Sequence, residues 1–217
     1  VRAVTLMGGV YIAFPLGVAT AIYLEEYAGE GRLARFVQVN IRNLAGVPSV
    51  VYGLLGLAVF VPAFGRNAIS GGVTLAVLVL PIVVITASEA LRAVPRALRE
   101  AGYGVGASPW EVTSRLVLPA AAPGILTGTV LALARALGET APLVVAGAVL
   151  GSFSGTSLAK MLSGNYTALP VIIYDWSRRP QAAFRADAAA AIIMLLVVVL
   201  AVSAIAILLR RRFEREH

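Results

Sequence analysis

Residues 100–119 read EAGYGVGASPWEVTSRLVLP, and the interpretation of the whole chain depends on this stretch. It lies in a longer segment, 88–123, that contains too many polar and charged residues to cross a lipid bilayer. Apolar runs flank the segment on both sides. This pattern is typical of a polar loop that connects two membrane-spanning helices.

The first half of the loop contains residues that are typical of the start and the end of a short helix. Pro95 suits the first turn of a helix, and Gly102 suits the position just past a helix end. We therefore predict a helix at about 95–101. A turn that contains Gly104 and Gly106 is expected to follow it.

The second half of the loop has its own start and stop signals. Ser108 and Glu111 have the three-residue spacing of a capping box, and Pro109 occupies the first helical position. Pro119 is expected to stop the helix that begins there. These residues predict a second short helix at about 109–117.

The composition of the chain excludes most soluble classes of protein. Of the 217 residues, 59% are hydrophobic and 13% are charged, whereas a soluble domain is about half apolar and about a quarter charged. So much apolar surface predicts an integral membrane protein. The chain has no cysteine and its one histidine is the last residue, His217. We therefore predict no catalytic residue, no metal site and no cofactor.

Five apolar segments are long enough to cross a bilayer as helices, which requires about 20 residues each. We predict an all-α fold, a polytopic transmembrane helical bundle that forms one domain over residues 1–217. The predicted spans are 3–24, 44–63, 71–87, 124–150 and 187–209.

The basic residues predict how the chain is oriented in the membrane. All but one of the 18 Lys and Arg residues are arginine, and most lie between the apolar segments. Segments 25–43, 88–123 and 210–217 hold 11 basic residues, whereas 64–70 and 151–186 hold 5. Because cytoplasmic loops are enriched in Lys and Arg, the first group is predicted to be cytoplasmic. The net charge of +7 then needs no nucleic-acid partner.

The segment 151–186, predicted to lie outside, is rich in aromatic residues. Such side chains are typical of the interface between membrane and water, where they contact lipid. They are also enriched where proteins bind each other, so a contact with an extracytoplasmic binding protein stays open. The residues are Tyr166, Tyr174, Trp176 and Phe184.

The spacing within 100–119 resembles the EAA loop of ABC importer permeases. That loop reads E-A-A, three residues, G, nine residues, I, one residue, L-P, and here Gly102 replaces the second alanine and Leu116 replaces the isoleucine. The resemblance implies the fold of a type I ABC importer permease. The matching residues are Glu100, Ala101, Gly102, Gly106, Leu116, Leu118 and Pro119.

In that family the loop docks on a cytoplasmic ATPase subunit, so the resemblance implies that these seven residues act in ATPase coupling. The sequence has no G-x-x-x-x-G-K-[ST] motif, and its only lysine, Lys160, does not follow a glycine-rich loop. We therefore expect a transport subunit that is not itself an enzyme. A partner subunit would hydrolyse the ATP.

Three further stretches resemble phosphate importer permeases of the PstA type: FPLGVATAIYLEEYA (14–28), LAGVPSVVYGLLGL (44–57) and ARALGETAPL (134–143). The resemblance implies a multi-pass permease subunit that moves inorganic phosphate across a bacterial or archaeal cytoplasmic membrane. It also implies a second homologous permease subunit and an extracytoplasmic phosphate-binding protein as partners. Another oxyanion, such as molybdate or sulfate, is the alternative substrate. The family normally has six spans, and the five predicted here match the last five, so we expect its first span to be missing.

Arg135 and Glu139 are four residues apart, which places them on one face of the fourth predicted span. Each charge costs about 2.5–3.5 kcal/mol at the centre of a membrane, so the two are expected to pair. The pair could act only as a brace between helices. It could also line an anion path, because the planar guanidinium of arginine donates two parallel hydrogen bonds to phosphate. The family resemblance favours the second interpretation and places both residues in the substrate path.

Two other classes of membrane protein are alternatives to a transporter: an intramembrane enzyme, and a passive channel or anchor. An intramembrane enzyme needs paired aspartates, a serine with a histidine, or a metal cluster. Apart from Asp187 at one boundary, the predicted spans offer only Arg135, Glu139 and scattered hydroxyl groups. A passive channel or an anchor would not need a loop of the EAA type. Co-purification with an ATPase would distinguish a transporter from both.

Overall fold

The computed structural model describes residues 2–29, 31–148 and 167–213. Every regular element in these ranges is helical, which confirms the predicted all-α fold. The helices are α1 Arg2–Ile22, α2 Arg32–Ala45, α3 Ser49–Leu55, α4 Val61–Phe64, α5 Ala68–Arg92, α6 Arg96–Gly104, α7 Pro109–Val112, α8 Leu118–Gly138, α9 Ala141–Val145, α10 Leu169–Arg178 and α11 Ala182–Phe213. Turns of π-helix at Tyr23–Tyr27, Gly56–Phe60 and Thr113–Val117 continue α1, join α3 to α4, and join α7 to α8.

Three helices in the described ranges are long and apolar enough to cross a membrane: Ala68–Arg92, Pro109–Gly138 and Ala182–Ile205. The helices Arg32–Ala45 and Ser49–Phe64 add a fourth only if this bent pair is one span. These span-length apolar helices are fewer than the five predicted spans. Helix α1 overlaps the first predicted span but is not among them.

The predicted span 124–150 is not one helix. Helix α8 ends at Gly138, and α9 begins only at Ala141, with Pro142 in its first turn. The sequence between the two helices is Glu139-Thr140. Proline suits the start of a new helix because it has no backbone N–H to leave unpaired there. Residues 149 and 150 lie outside the described residues.

The prediction that Pro119 ends a helix is wrong. The helix that begins at Pro109 continues through Pro119 to Gly138. The π turn Thr113–Val117 lies directly before this proline and shifts the hydrogen bonding by one residue, with Leu118 N–H donating to the Thr113 carbonyl. Such a turn accommodates the interruption that a proline causes inside a helix.

The described residues form two compact units. Unit I contains Val1–Ala13, Val47–Val79 and Leu133–Val202, and unit II contains Phe14–Gly46, Leu80–Ala132 and Ser203–His217.

Unit II is built around a continuous apolar core. Its fully buried members come from α1, α5 and the helix 109–138, and they include Ala21, Leu91, Val112 and Val117. Side chains of α2 and α6 pack against the same cluster. The loop 88–123, predicted from its polarity, therefore takes part in the core of this unit.

Helix α8 packs closely on α5 through a pair of small residues. The sequence 124–128 has the G-x-x-x-G spacing that is typical of close helix contact. A Cβ atom added at Gly124 would lie 2.8 Å from Cβ of Ala90, and one added at Gly128 would overlap Thr86. The two helices thus approach closely at this pair. The second such pair, 147 and 151, has its second member outside the described residues.

Unit I has its own, smaller core. Leu75 of α5, Leu143 of α9 and Val171 of α10 are buried in one cluster. The turn before α5 is closed by polar contacts, in which Asn67 accepts hydrogen bonds from the backbone N–H groups of Ile69 and Ser70, each 3.1 Å long. These contacts cap the first turn of α5.

Candidate functional site

Helix α6 covers most of the first predicted short helix and ends later than the sequence indicates. It runs from Arg96 to Gly104, and Gly106 follows with a φ of 85°. The N–H of Gly106 donates to the carbonyl of Tyr103 at 2.9 Å, and the N–H of Ala107 donates to that of Gly102 at 3.1 Å. This is the Schellman arrangement, which places a glycine in the left-handed region at the helix end. The helix-ending glycine is therefore Gly106 and not Gly102.

The predicted capping box of the second helix is confirmed. The Ser108 N–H donates to Glu111 Oε2 at 3.0 Å, and the Glu111 N–H donates to Ser108 Oγ at 3.4 Å. Pro109 takes the first helical position, as predicted. The turn between α6 and α7 is thereby held at both of its ends.

Gly102 is buried inside α6, where it faces the following helix. A Cβ atom at this position would lie 2.8 Å from Cδ1 of Leu116 and 2.9 Å from Cγ2 of Val112. The end of the Leu116 side chain can shift, but Val112 is fully buried and β-branched, so even alanine requires a local adjustment and a larger residue does not fit. The EAA spacing thus brings residues 102 and 116 together.

The other residues of the predicted coupling set fall into two groups. Leu118 is half-buried and packs on the unit II core. The remaining four are exposed: Glu100, Ala101, Gly106 and Pro119.

Three large apolar side chains are exposed beside the turn. Tyr103 is 47% exposed, Val105 85% and Trp110 66%. We call them the turn patch. Sequence reasoning had passed over all three, although an aromatic residue at the second position of a capped helix was a visible signal.

Sequence reasoning also missed the residues that attach α6 to its neighbours. Arg99 forms a two-pronged ion pair with Glu26, with Nε–Oε2 and Nη2–Oε1 distances of 3.2 and 2.7 Å. This hydrogen bonding raises the pKa of the Arg99 guanidinium above its usual value, so the side chain stays charged. Arg92 and Glu25 form a second such pair, at 2.7 and 2.9 Å. The signal in the sequence was two adjacent acids after the first apolar run and two arginines seven residues apart.

Arg135 and Glu139 lie in unit I, at the end of α8. Their Nε–Oε1 distance is 3.4 Å, and the side chains are 53% and 16% exposed. Arg135 lies in the last turn of α8, where a positive charge is favoured by the helix dipole. The predicted pair therefore forms, but it is longer than the 2.7–2.9 Å that is typical of a strong charge-assisted bond.

The break between α8 and α9, which follows Gly138, is supported by close packing of α3 on the backbone of α9. A Cβ atom at Gly53 of α3 would lie 2.7 Å from Cα of Pro142 and 3.1 Å from its carbonyl oxygen. Because backbone atoms cannot move aside as a side chain does, only glycine fits at position 53 without displacing α9. Two of the stretches quoted above, 44–57 and 134–143, thus meet in unit I.

Two arginines at the C-terminal end of α10, Arg178 and the following Arg179, contact aromatic rings. The Arg179 guanidinium lies 4.5 Å from the centre of the Phe184 ring, and it pairs with Asp175 at 2.8 Å. Arg178 lies 5.3 Å from the centre of the Tyr174 ring. Tyr166, which sequence reasoning grouped with these aromatic residues, lies outside the described residues. No group of three or more His, Cys, Asp or Glu residues that could hold a metal ion occurs in the described ranges.

The model of one protein family matches residues 13–215 of this chain, and its description is "Binding-protein-dependent transport system inner membrane component". The chain belongs to this family. It is a multi-pass membrane protein, and its EAA-type spacing agrees with that membership. The resemblance found in the sequence is thus confirmed.

Curated relatives of this chain include proteins named as phosphate transport permeases. The chain is 40% identical to a phosphate transport system permease protein PstA 1 of Mycobacterium tuberculosis, over 79% of this chain and 56% of that protein. It is 36% identical to a phosphate transport system permease protein PstA of Yersinia pestis, over 80% of this chain and 58% of that protein. The chain thus spans somewhat more than half the length of the curated relatives it matches.

A solved structure shares the fold. A chain of the MetNI methionine ABC transporter, solved in an inward-facing conformation, superposes with a TM-score of 0.77. The match covers 97% of this chain and 91% of that chain at 18% sequence identity. The predicted fold class, a type I ABC importer permease, is therefore confirmed.

Replacing Gly106 by alanine should destabilise the protein by about 1–2 kcal/mol, because its left-handed backbone disfavours a Cβ atom. Gly104 provides the matched control. It lies two residues away in α6, and neither glycine has an atom within 4 Å of an added Cβ. Gly104→Ala should instead stabilise by about 0.5 kcal/mol, since alanine favours a helix. Thermal unfolding of the purified protein in detergent measures both, and equal shifts for the two variants would contradict this account of the turn.

Proposed function

We propose that this chain is a membrane permease subunit of an ATP-driven importer of inorganic phosphate. One observation carries the proposal: relatives 36% and 40% identical to the chain are named phosphate transport system permease proteins. Their names favour phosphate over molybdate or sulfate. The chain would lie in a bacterial cytoplasmic membrane, with loop 88–123 and the tail 210–217 on the cytoplasmic side.

The turn patch supports a docking role for the loop. Large apolar side chains that are exposed at a turn between two helices are typical of a surface that another protein covers. We infer that Tyr103, Val105 and Trp110 contact a cytoplasmic ATPase subunit. The absence of a P-loop motif from this sequence implies that ATP is bound and hydrolysed there rather than here.

The arrangement at the end of α8 supports an anion path. Binding sites in transporters commonly lie where a membrane helix is interrupted, and Arg135 lies three residues before such a break. Its guanidinium is half exposed and makes a 3.4 Å contact with Glu139. The long contact leaves donors of the guanidinium available to a phosphate oxygen, and Glu139 would orient the side chain and favour release.

The remaining partners follow from the same proposal. Importers of this family depend on a binding protein by their description, so an extracytoplasmic phosphate-binding protein is expected to deliver the anion. A second, homologous permease subunit would complete the path. Membrane lipid would surround the exposed apolar side chains of α11, such as Ile193, Leu196 and Leu200.

The function is tested by uptake into vesicles that contain the whole complex. We expect ATP-dependent accumulation of labelled phosphate that excess unlabelled phosphate abolishes. Molybdate and sulfate at the same excess should leave uptake nearly unchanged. Displacement of phosphate by either of them, or uptake without ATP, would overturn the proposal.

Gly106→Leu should weaken ATPase docking, because its bulk would project from an exposed turn beside the turn patch. Gly106→Ala is the matched control, since it has the same backbone strain with little added volume. We expect the leucine variant alone to lose co-purifying ATPase and phosphate uptake, while both variants insert into membranes. Equal docking by the two variants would refute a close contact at this turn.

Arg135→Gln should abolish phosphate uptake while the complex still assembles, because the amide lacks the charge and the two-pronged geometry of arginine. Arg135→Lys should be strongly impaired, since it keeps only the charge. The exchanged pair Arg135→Glu with Glu139→Arg should restore assembly but not uptake. The measurement for each of these variants is phosphate uptake per assembled complex.

The Asp175–Arg179 pair provides the control for this series. It has the same four-residue spacing, with a shorter contact of 2.8 Å. Exchanging its charges should leave uptake close to that of the parent. Normal uptake in the exchanged Arg135–Glu139 protein would show that this pair only braces the helices.

A further inference from the structure

Two adjacent carboxylates at the end of α1 bind two different elements of unit II. Glu25 and Glu26 both lie in the π turn Tyr23–Tyr27. Glu25 binds Arg92, the last residue of α5, and Glu26 binds Arg99 in the middle of α6. The π turn is therefore the point where α1, α5 and α6 are joined by charged contacts. Turns of this kind are often found at functional sites.

The guanidinium of Arg99 donates more side-chain hydrogen bonds than that of any other arginine in the described ranges. Besides the two bonds to Glu26, Nη1 donates to the Val94 carbonyl at 2.8 Å and Nη2 donates to the Leu91 carbonyl at 2.9 Å. Leu91 lies in the last turn of α5, whose carbonyls have no partner within the helix. One side chain of α6 thus binds the end of α5 and the end of α1 together.

The Glu26–Arg99 pair is the more enclosed of the two. Its side chains are 6% and 20% exposed, against 11% and 41% for Glu25 and Arg92. Removing one partner of an enclosed pair leaves an uncompensated charge and is far more costly than losing an exposed pair. The Glu26–Arg99 pair is therefore the more costly of the two pairs to break.

Apolar packing surrounds the same connection. Leu24, beside the two acids, is buried in the cluster that contains Val94 and Val112. Leu98, beside Arg99, packs against that cluster. The end of α1 and α6 are therefore fastened by a charged contact on top of a shared apolar core.

We infer that Glu26 and Arg99 are positioning residues that transmit movement of α6 into α1 when ATP binds, while Glu25 and Arg92 hold the end of α1 on α5. The inference rests on the proposed function, in which α6 docks on an ATPase. The Glu26–Arg99 pair is the one charged pair in the described residues that joins the end of α1 to α6, so together with their shared apolar packing it carries a force applied to α6 into α1.

The test measures phosphate taken up per ATP hydrolysed by the assembled importer in vesicles. Glu26→Ala should lower this ratio by about 2- to 30-fold, the range that mutations along coupling networks produce. Glu26→Gln keeps a hydrogen-bond acceptor for Arg99 and should lie between the parent and Glu26→Ala. In both variants the amount of ATPase subunit bound and the rate of ATP hydrolysis should stay near those of the parent.

Glu25→Ala is the matched control, since it removes the neighbouring carboxylate from the same π turn. It should reduce the ratio less than Glu26→Ala does. A purely structural role predicts instead that uptake and hydrolysis fall in parallel, with an unchanged ratio. That result, or an equal effect of the two variants, would overturn the inference.

A second measurement does not depend on the transported substrate. The sequence has no cysteine, so spin labels can be placed at two exposed positions, Tyr27 in the π turn and Ala97 in α6, which is not part of the turn patch. Their separation should stay constant between the nucleotide-free and ATP-bound complex, and it should change with ATP in Glu26→Ala. An ATP-dependent change in the parent would overturn the inference. A parent complex that hydrolyses ATP without moving phosphate would overturn only the proposed function.

Discussion

The contact between Gly102 and the side chains of Val112 and Leu116 is the constraint on which the organisation of unit II depends. It lets α6 lie directly on the helix that continues to Gly138. A larger residue at this position would push the two helices apart. Arg99 could then no longer reach both the carbonyls at the end of α5 and the carboxylate of Glu26. The polar helix α6 is in this way attached firmly to apolar helices.

The turn between α6 and α7 combines rigidity with exposure. The Schellman arrangement at Gly106 and the capping box at Ser108 satisfy the backbone groups at both helix ends. The large side chains nearby, Val105 and Trp110, are consequently left to face outward. A rigid backbone that presents apolar side chains is well suited to docking, because little conformational entropy is lost when a partner covers it.

In unit I, an apolar helix is interrupted, and the residues after the break are held by close packing. The break after Gly138 is followed at once by a new helix that packs against Gly53. Leu143 is fully buried beside it, which holds α9 in place. Arg135, in the last turn before this break, has a side chain that is 53% exposed, whereas that of Glu139, directly after the helix end, is 16% exposed.

The sequence alone determined the class of this protein, because composition and the lengths of apolar runs report directly on burial in lipid. It also determined the capping box at Ser108 and the pairing of Arg135 with Glu139, since both depend on spacing within a few residues. The tertiary structure alone decided that the helix continues through Pro119, that α8 stops at Gly138, and that Arg99 meets Glu26. These features depend on π turns and on contacts between residues as much as 73 positions apart, and no local pattern reports which distant side chain will satisfy a charge.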